Sequence, residues 1–263
     1  DGSNNVAVGT QALRNNKGSF NTGVGKDVLA GNGSGDNGNR NTVVGYQSMY
    51  SNTSGSSNTA MGHQALYDNT SGSYNIAMGF EALRDNTTGI QNTSIGFQSM
   101  YNNKTGLNNV AVGFVALMNG GTQNTAVGVN ALQYYQGDSN TAMGFQAAQN
   151  CGESGNTAIG YMAMYDTTSG KNNTAVGYAS IGKFQTSGDA NTAVGQESLF
   201  SNSGSQNTSI GFQSMFNNKG ADNNTALGWK SLNQNNNGHN NTAIGCSAGE
   251  EGEEGSYNTF IGD

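Results

Sequence analysis

Proline is absent from the 263 residues, cysteine and histidine each occur twice, and charged residues make up only 10%. Each shortage excludes something. Two cysteines cannot build a disulfide framework. His63 and His239 are far apart in the chain, so no histidine pair is set up to bind a metal or relay a proton. The 10 Lys and Arg are scattered, against 17 Asp and Glu, and form no basic stripe that could neutralise phosphates. Nucleic acid is therefore not an expected partner. No run of about 18 apolar residues is present, so no membrane insertion is expected. With 33% hydrophobic residues there is too little apolar material for a thick helix-packed core. The 41 Gly are spread throughout, and each would cost a helix interior about 1 kcal/mol. Such polarity usually means disorder, but disordered chains carry high net charge and few β-branched residues. Here charge is sparse and Thr, Val and Ile recur.

What the chain does contain is a repeat. A pentad of the form N-T-A-V-G occurs sixteen times, from Asn5 to Asn258, most often 17 residues apart. Numbering each unit from its Asn, position 1 is always Asn and position 5 always Gly. Position 2 is mostly Thr, position 3 mostly Ala, and position 4 is Val, Ile, Leu or Met. Position 6 is aromatic in nine copies, position 8 is small, and position 9 is mostly Leu or Met. All length variation falls between position 9 and a Gly three residues before the next Asn. Fixed length in one segment and free length in another is the signature of stacked coils with one surface loop each.

The expected fold is therefore all-β: a parallel β-solenoid, or β-roll, of about 16 coils. One repeat of ~17 residues makes one coil with two short strands, and residues 1–263 form a single repeat domain. Strand one is the pentad. Strand two is the segment from position 6 to position 10. Proline's absence fits, since a Pro would remove a ladder donor from every stack it joined. Alternation divides strand one into a 2/4 face and a 1/3/5 face. The aliphatic position 4 predicts that positions 2 and 4 point inward. The Asn/Ala/Gly face is then a flat outer surface suited to association. Stacking also places each Asn over the next, either as a ladder of amides or as a set of separate turn caps. Cys151 and Cys246 lie six coils apart, roughly 29 Å at the strand spacing, too far for a disulfide.

The repeat resembles two families. The head domains of trimeric autotransporter adhesins carry N-S-V-A-I-G units, and phage tail-fibre proteins carry arrays similar to N-T-A-V-G-x-x-A-L. The resemblance covers all sixteen units. It implies a left-handed parallel β-roll, homo-oligomerisation as a trimer, and an extracellular, cell-surface or virion location.

The residues expected to define the structure are Asn58, Thr59, Gly62, Asn92, Gly96, Asn124, Gly128, Asn156, Gly160, Asn191 and Gly195. Tyr50, Tyr67, Tyr101, Tyr165, Phe200 and Phe216, at position 10, are expected to stack as aromatic stripes. They either form a surface seam between chains or plug the corners of the coil. No catalytic residue, metal site or cofactor is expected. Glu250-Glu251-Gly252-Glu253-Glu254 reads as a solvated loop rather than a Ca²⁺ site, and Gly31 to Gly38 as an enlarged turn. The expected function is non-enzymatic: a fibre or adhesin segment acting as a rigid spacer that presents a surface to a receptor or glycan. Two alternatives are a self-assembling functional-amyloid-like filament and an ice-binding solenoid. An inward Thr at position 2 counts against the last. The final unit stops midway, at Asn258–Asp263, which suggests a fragment of a longer array.

Overall fold

The computed structural model describes residues 2–31, 38–134, 137–167, 169–182, 188–251 and 255–262. Two compact units, Asp1–Val129 and Asn130–Asp263, are each a parallel β-solenoid. Among the described residues there is no helix. In the first unit eight three-residue strands run from Val6–Val8 to Thr125–Val127. In the second, eight more run from Thr141–Met143 to Thr259–Ile261. Each covers positions 2–4 of one pentad. Neighbours pair in parallel and in register, as in Thr59↔Ile76, Ala60↔Ala77 and Met61↔Met78. Thr157↔Thr174, Ala158↔Ala175 and Ile159↔Val176 pair in the same way in the second unit. Like residues therefore lie over like residues, one coil apart.

The segment from position 6 to 10 also bonds coil to coil. In one coil the Gln64 amide donates back to the Tyr46 carbonyl at 2.9 Å, and the Leu66 amide donates forward to the Ala82 carbonyl at 3.0 Å. The conformation there is not an extended strand, because positions 7 and 9 are left-handed, with φ of 52° at Gln64 and 54° at Leu66. Left-handed L-residues cost roughly 1–2 kcal/mol each. The stack offsets that cost by giving each such N–H a carbonyl in an adjacent coil. Only beyond position 10, at Ser201–Asn202 and Asn217–Asn218, is a second parallel pair formed among the described residues.

The interior is thin. Position 3 is fully buried, as at Ala60, Ala77, Ala126 and Ala175, and so are positions 8 and 9, as at Ala65 and Leu66. Where both small positions are Ser, the hydroxyls meet across the coil: Ser94 Oγ donates to Ser99 Oγ at 2.8 Å. Between successive coils, Ser198 Oγ donates to Ser209 Oγ at 2.7 Å. Positions 3 and 8 thus meet mostly as small side chains, and the Leu, Met or Ile of position 9 fills the rest of the interior.

That packing overturns the expected facing of strand one. Positions 1 and 3 point inward, and positions 2 and 4 point outward. Asn92 and Ser94 are fully buried, whereas Ile95 is 37% exposed. A period of two allows either face to be inside. Apolar character favoured 2/4, but the large apolar side chains of the interior come from position 9, and position 3 mostly brings a small residue against position 8. The flat Asn/Ala/Gly surface expected to serve association is therefore the inner wall of the coil.

Two glycines per repeat close the turns. At Gly96 (φ 133°) an added Cβ would sit on the carbonyl oxygen of Gly113 in the next coil. Gly72 similarly approaches the carbonyl of Gly89 and the side chains of Asn69 and Asn86. Cys151 is buried and Cys246 exposed, both as free thiols. Burial pushes the Cys151 thiol up to about 11.

Candidate association face

Asn at position 1 bonds to the turn of the next coil. Asn92 Nδ2 donates to the Gly106 carbonyl at 2.8 Å, and Asn92 Oδ1 accepts the Asn109 backbone N–H at 3.1 Å. One amide thus satisfies a buried donor and a buried acceptor one coil away. The amides also touch each other: Asn109 Nδ2 donates to Asn92 Oδ1 at 2.9 Å, and Asn58 Nδ2 to Asn41 Oδ1 at 3.2 Å. Asn156 and Asn191 make the backbone pattern in the second unit. The Asn124 backbone N–H donates to Asn109 Oδ1. Gly62, Gly128, Gly160 and Gly195 all have φ between 131° and 148°, and Thr59 is half-buried on the outer face.

A second interior row went unread in the sequence. Position 12 is Asn in many coils, and Asn52, Asn69, Asn86 and Asn103 form a column of buried side-chain amides. Asn69 Nδ2 donates to Asn52 Oδ1, and Asn86 Nδ2 to Asn69 Oδ1, each at 2.8 Å. Asn218 to Asn202 and Asn235 to Asn218 repeat it in the second unit at 2.7 and 2.9 Å. The signal available was N-x-x-G, as in Asn69 to Gly72, hidden within the segment of variable length. Cys151 and Thr167 occupy this same position and are buried.

Outside, each unit carries a regular apolar face. In the first unit Met61, Met78 and Ile95 at position 4 are joined, two residues further along each coil, by Tyr46, Phe80, Phe97 and Phe114 at position 6. All seven are between 37% and 49% exposed. The position 6 rings stack without a break: Tyr46–His63 5.3 Å, His63–Phe80 4.9 Å, Phe80–Phe97 5.2 Å and Phe97–Phe114 5.1 Å between centroids. Lys26 Nζ lies 5.6 Å from the Tyr46 ring centre. In the second unit Phe145, Tyr161 and Tyr178 stack at 5.2 and 5.3 Å, and Phe212 lies 6.4 Å from Trp229. Offset aromatic contacts at these separations add stabilisation beyond area burial. Single exposed apolar side chains are ordinary on a protein surface; contiguous apolar patches mark interaction sites.

The position 10 residues are half-buried. Tyr50 stacks on Tyr67 at 5.5 Å and Phe200 on Phe216 at 5.0 Å. Arg84 lies between Tyr67 and Tyr101, its guanidinium carbon 5.4 Å from each ring centre. Tyr165 and Phe200 line a cavity of about 190 Å³. Position 6 is the more exposed of the two aromatic columns.

Among the described residues, no three His, Cys, Asp or Glu side chains gather as metal ligands. Most of the Gly31–Gly38 loop, and residues 252–254 of the Glu250–Glu254 run, lie outside the described residues. Comparison with known proteins finds no matching family model, no matching curated protein and no matching solved structure.

Proposed function

We propose that this chain is a non-enzymatic structural segment of an extracellular fibre, of the phage tail-fibre or surface-adhesin kind. It associates with copies of itself, as a trimer, through the outward face of positions 2, 4 and 6, and presents its remaining surface to a receptor or glycan. The supporting observation is the apolar face itself. It repeats at the coil spacing, with an aliphatic residue or Met at position 4 of every coil and runs of aromatic residues at position 6, such as Phe80, Phe97 and Phe114, and it stays at least partly exposed. A partner that matches such a face row by row needs the same spacing, and another copy has it. The resemblance of the pentad to fibre and adhesin repeats points the same way and supplies the number three.

Light scattering of the full chain over a range of concentration tests this reading. A fixed mass of three chains is expected. A strict monomer at every concentration overturns it, and mass that grows without limit favours the filament alternative.

One observation favours a second reading. Thr at position 2 points outward, so the objection to an ice-binding solenoid no longer holds. Thr59, Thr93 and Thr125 stand in a row with Ile76 and Val110 between them on a parallel sheet. Thermal hysteresis in a solution of the chain would support this reading, and its absence discards it.

A further inference from the structure

The position 6 column of the first unit runs Tyr46, His63, Phe80, Phe97, Phe114. Its second member is an imidazole, a flat ring that can also take up a proton. His63 is held as part of the stack. Its ring lies 5.3 Å from Tyr46 at an interplanar angle of 23°, and 4.9 Å from Phe80 at 7°. The ring is exposed, within the apolar face rather than at its end. Met61 and Met78, at position 4 of the same coil and the next, are exposed on that face too.

The charged groups on the coils around His63 are engaged elsewhere. Glu81 follows Phe80, and its carboxylate accepts from Gln98 Nε2 at 2.8 Å, one coil further on. Lys26 lies over the Tyr46 ring and is 3.9 Å from Asp27. Arg84 donates to Asp85 and lies over the Tyr67 ring on the position 10 side, where Asp68 follows Tyr67. Tyr46 offers His63 a stacked ring. The other histidine differs: His239 Nδ1 is 3.8 Å from Asp222.

A proton on His63 is solvated by water in the separate chain. Covering the face with a second copy removes that water. The flanking rings are present in both states, so they favour neither, and the loss of water decides. Burial disfavours the charged form. A group that holds its proton better in the separate chain releases it on association, and acid then opposes association. Lys26 escapes this penalty because its long stem carries the charge outward, and its side chain is 58% exposed. An imidazole has a much shorter reach.

We propose that His63 makes self-association pH-dependent: copies join through this face with the imidazole neutral and separate as it takes up a proton. The inference rests on the self-association reading. Histidine changes charge between about pH 5 and 8, so the response falls in that range.

Sedimentation equilibrium of the full chain at about pH 7.5 and about pH 5.5 tests this, beside His63→Phe, His63→Gln and His239→Gln. One proton released per copy lowers the association constant by up to about tenfold per pH unit, and three copies by up to about a thousandfold. The wild-type chain and His239→Gln should be assembled at the higher pH and separate at the lower. His63→Phe extends the run of Phe80, Phe97 and Phe114, and His63→Gln removes the ring. Both are uncharged at either pH and should stay assembled at both. Wild-type assembly of equal strength at the two pH values overturns the proposal and leaves self-association standing. Equal loss of assembly in acid by the wild type and both His63 variants also overturns it. A wild-type chain that is monomeric at about pH 7.5 overturns self-association itself, and the pH response with it.

Discussion

Replacing Asn92 by Ala, and separately its neighbour Thr93 by Ala, separates the inner wall of the coil from its outer face. Asn92 is fully buried. Its side chain pairs with the Gly106 carbonyl and the Asn109 N–H, at 2.8 and 3.1 Å, and Asn109 Nδ2 reaches it at 2.9 Å. Truncation leaves a backbone donor and a backbone acceptor without these bonds in the buried interior of the coil. Each unsatisfied group costs about 1–3 kcal/mol. By that cost per group, Asn92→Ala should destabilise the surrounding coils by about 4 kcal/mol. Thr93, half-exposed and outward, should change stability by about 0.5 kcal/mol or less in the dissociated chain. Repeat arrays do not unfold as one cooperative unit, so a single melting temperature is a poor readout. Native-state hydrogen exchange at the Asn109 amide reads the effect locally. About 4 kcal/mol corresponds to close to a thousandfold loss of protection in Asn92→Ala. Equal protection in the two variants, or a larger loss in Thr93→Ala, would refute the assignment of inner and outer faces.

Other consequences are as specific. Gly96→Ala places a methyl on the Gly113 carbonyl at a backbone conformation of φ 133°. It should cost at least about 4 kcal/mol and abolish soluble expression or fold, read by circular dichroism. Ser57 sits at φ 59°, so Ser57→Gly should be neutral or stabilising by up to about 1 kcal/mol, while Ser57→Val should destabilise in urea titrations. Cys246 should react at once with a thiol reagent and Cys151 only on unfolding. The Cys151 thiol is raised from 9.0 to about 11 by burial, so its contribution to stability is intact below pH 9. That contribution is lost as pH rises towards 11, because the unfolded thiol ionises first. The loss reaches about 3 kcal/mol relative to Cys151→Ala, measured by unfolding across that range.

The repeat, the one-coil register and the fixed Gly were legible in the sequence because stacking forces equivalent positions together. The obligatory glycine at position 5 of the unit is readable since any Cβ there meets a backbone carbonyl, as at Gly96. The facing of the strand was not legible. A period of two permits either face inside, and the choice follows from how the two sides of the coil close on each other. Thr93 and Ile95 look like core by composition but face outward, while Ser94 meets Ser99 across the coil. The left-handed residues were hidden for another reason. Gln64 and Leu66 have no intrinsic preference for positive φ and adopt it only because neighbouring coils offer carbonyls to their amides. The position 12 amide column was masked by loops of unequal length, although Asn52, Asn69, Asn86 and Asn103 are evenly 17 residues apart.

Self-association through the outward face is tested most directly by sedimentation equilibrium of the full chain beside Ile95→Glu/Phe97→Glu. Both substitutions lie on that face, where a monomer tolerates charge and a seam between copies does not. The expected result is an assembled wild-type chain and a monomeric double variant with an unchanged circular dichroism spectrum. A wild-type chain that is monomeric at every concentration, or a double variant that stays assembled, would contradict it.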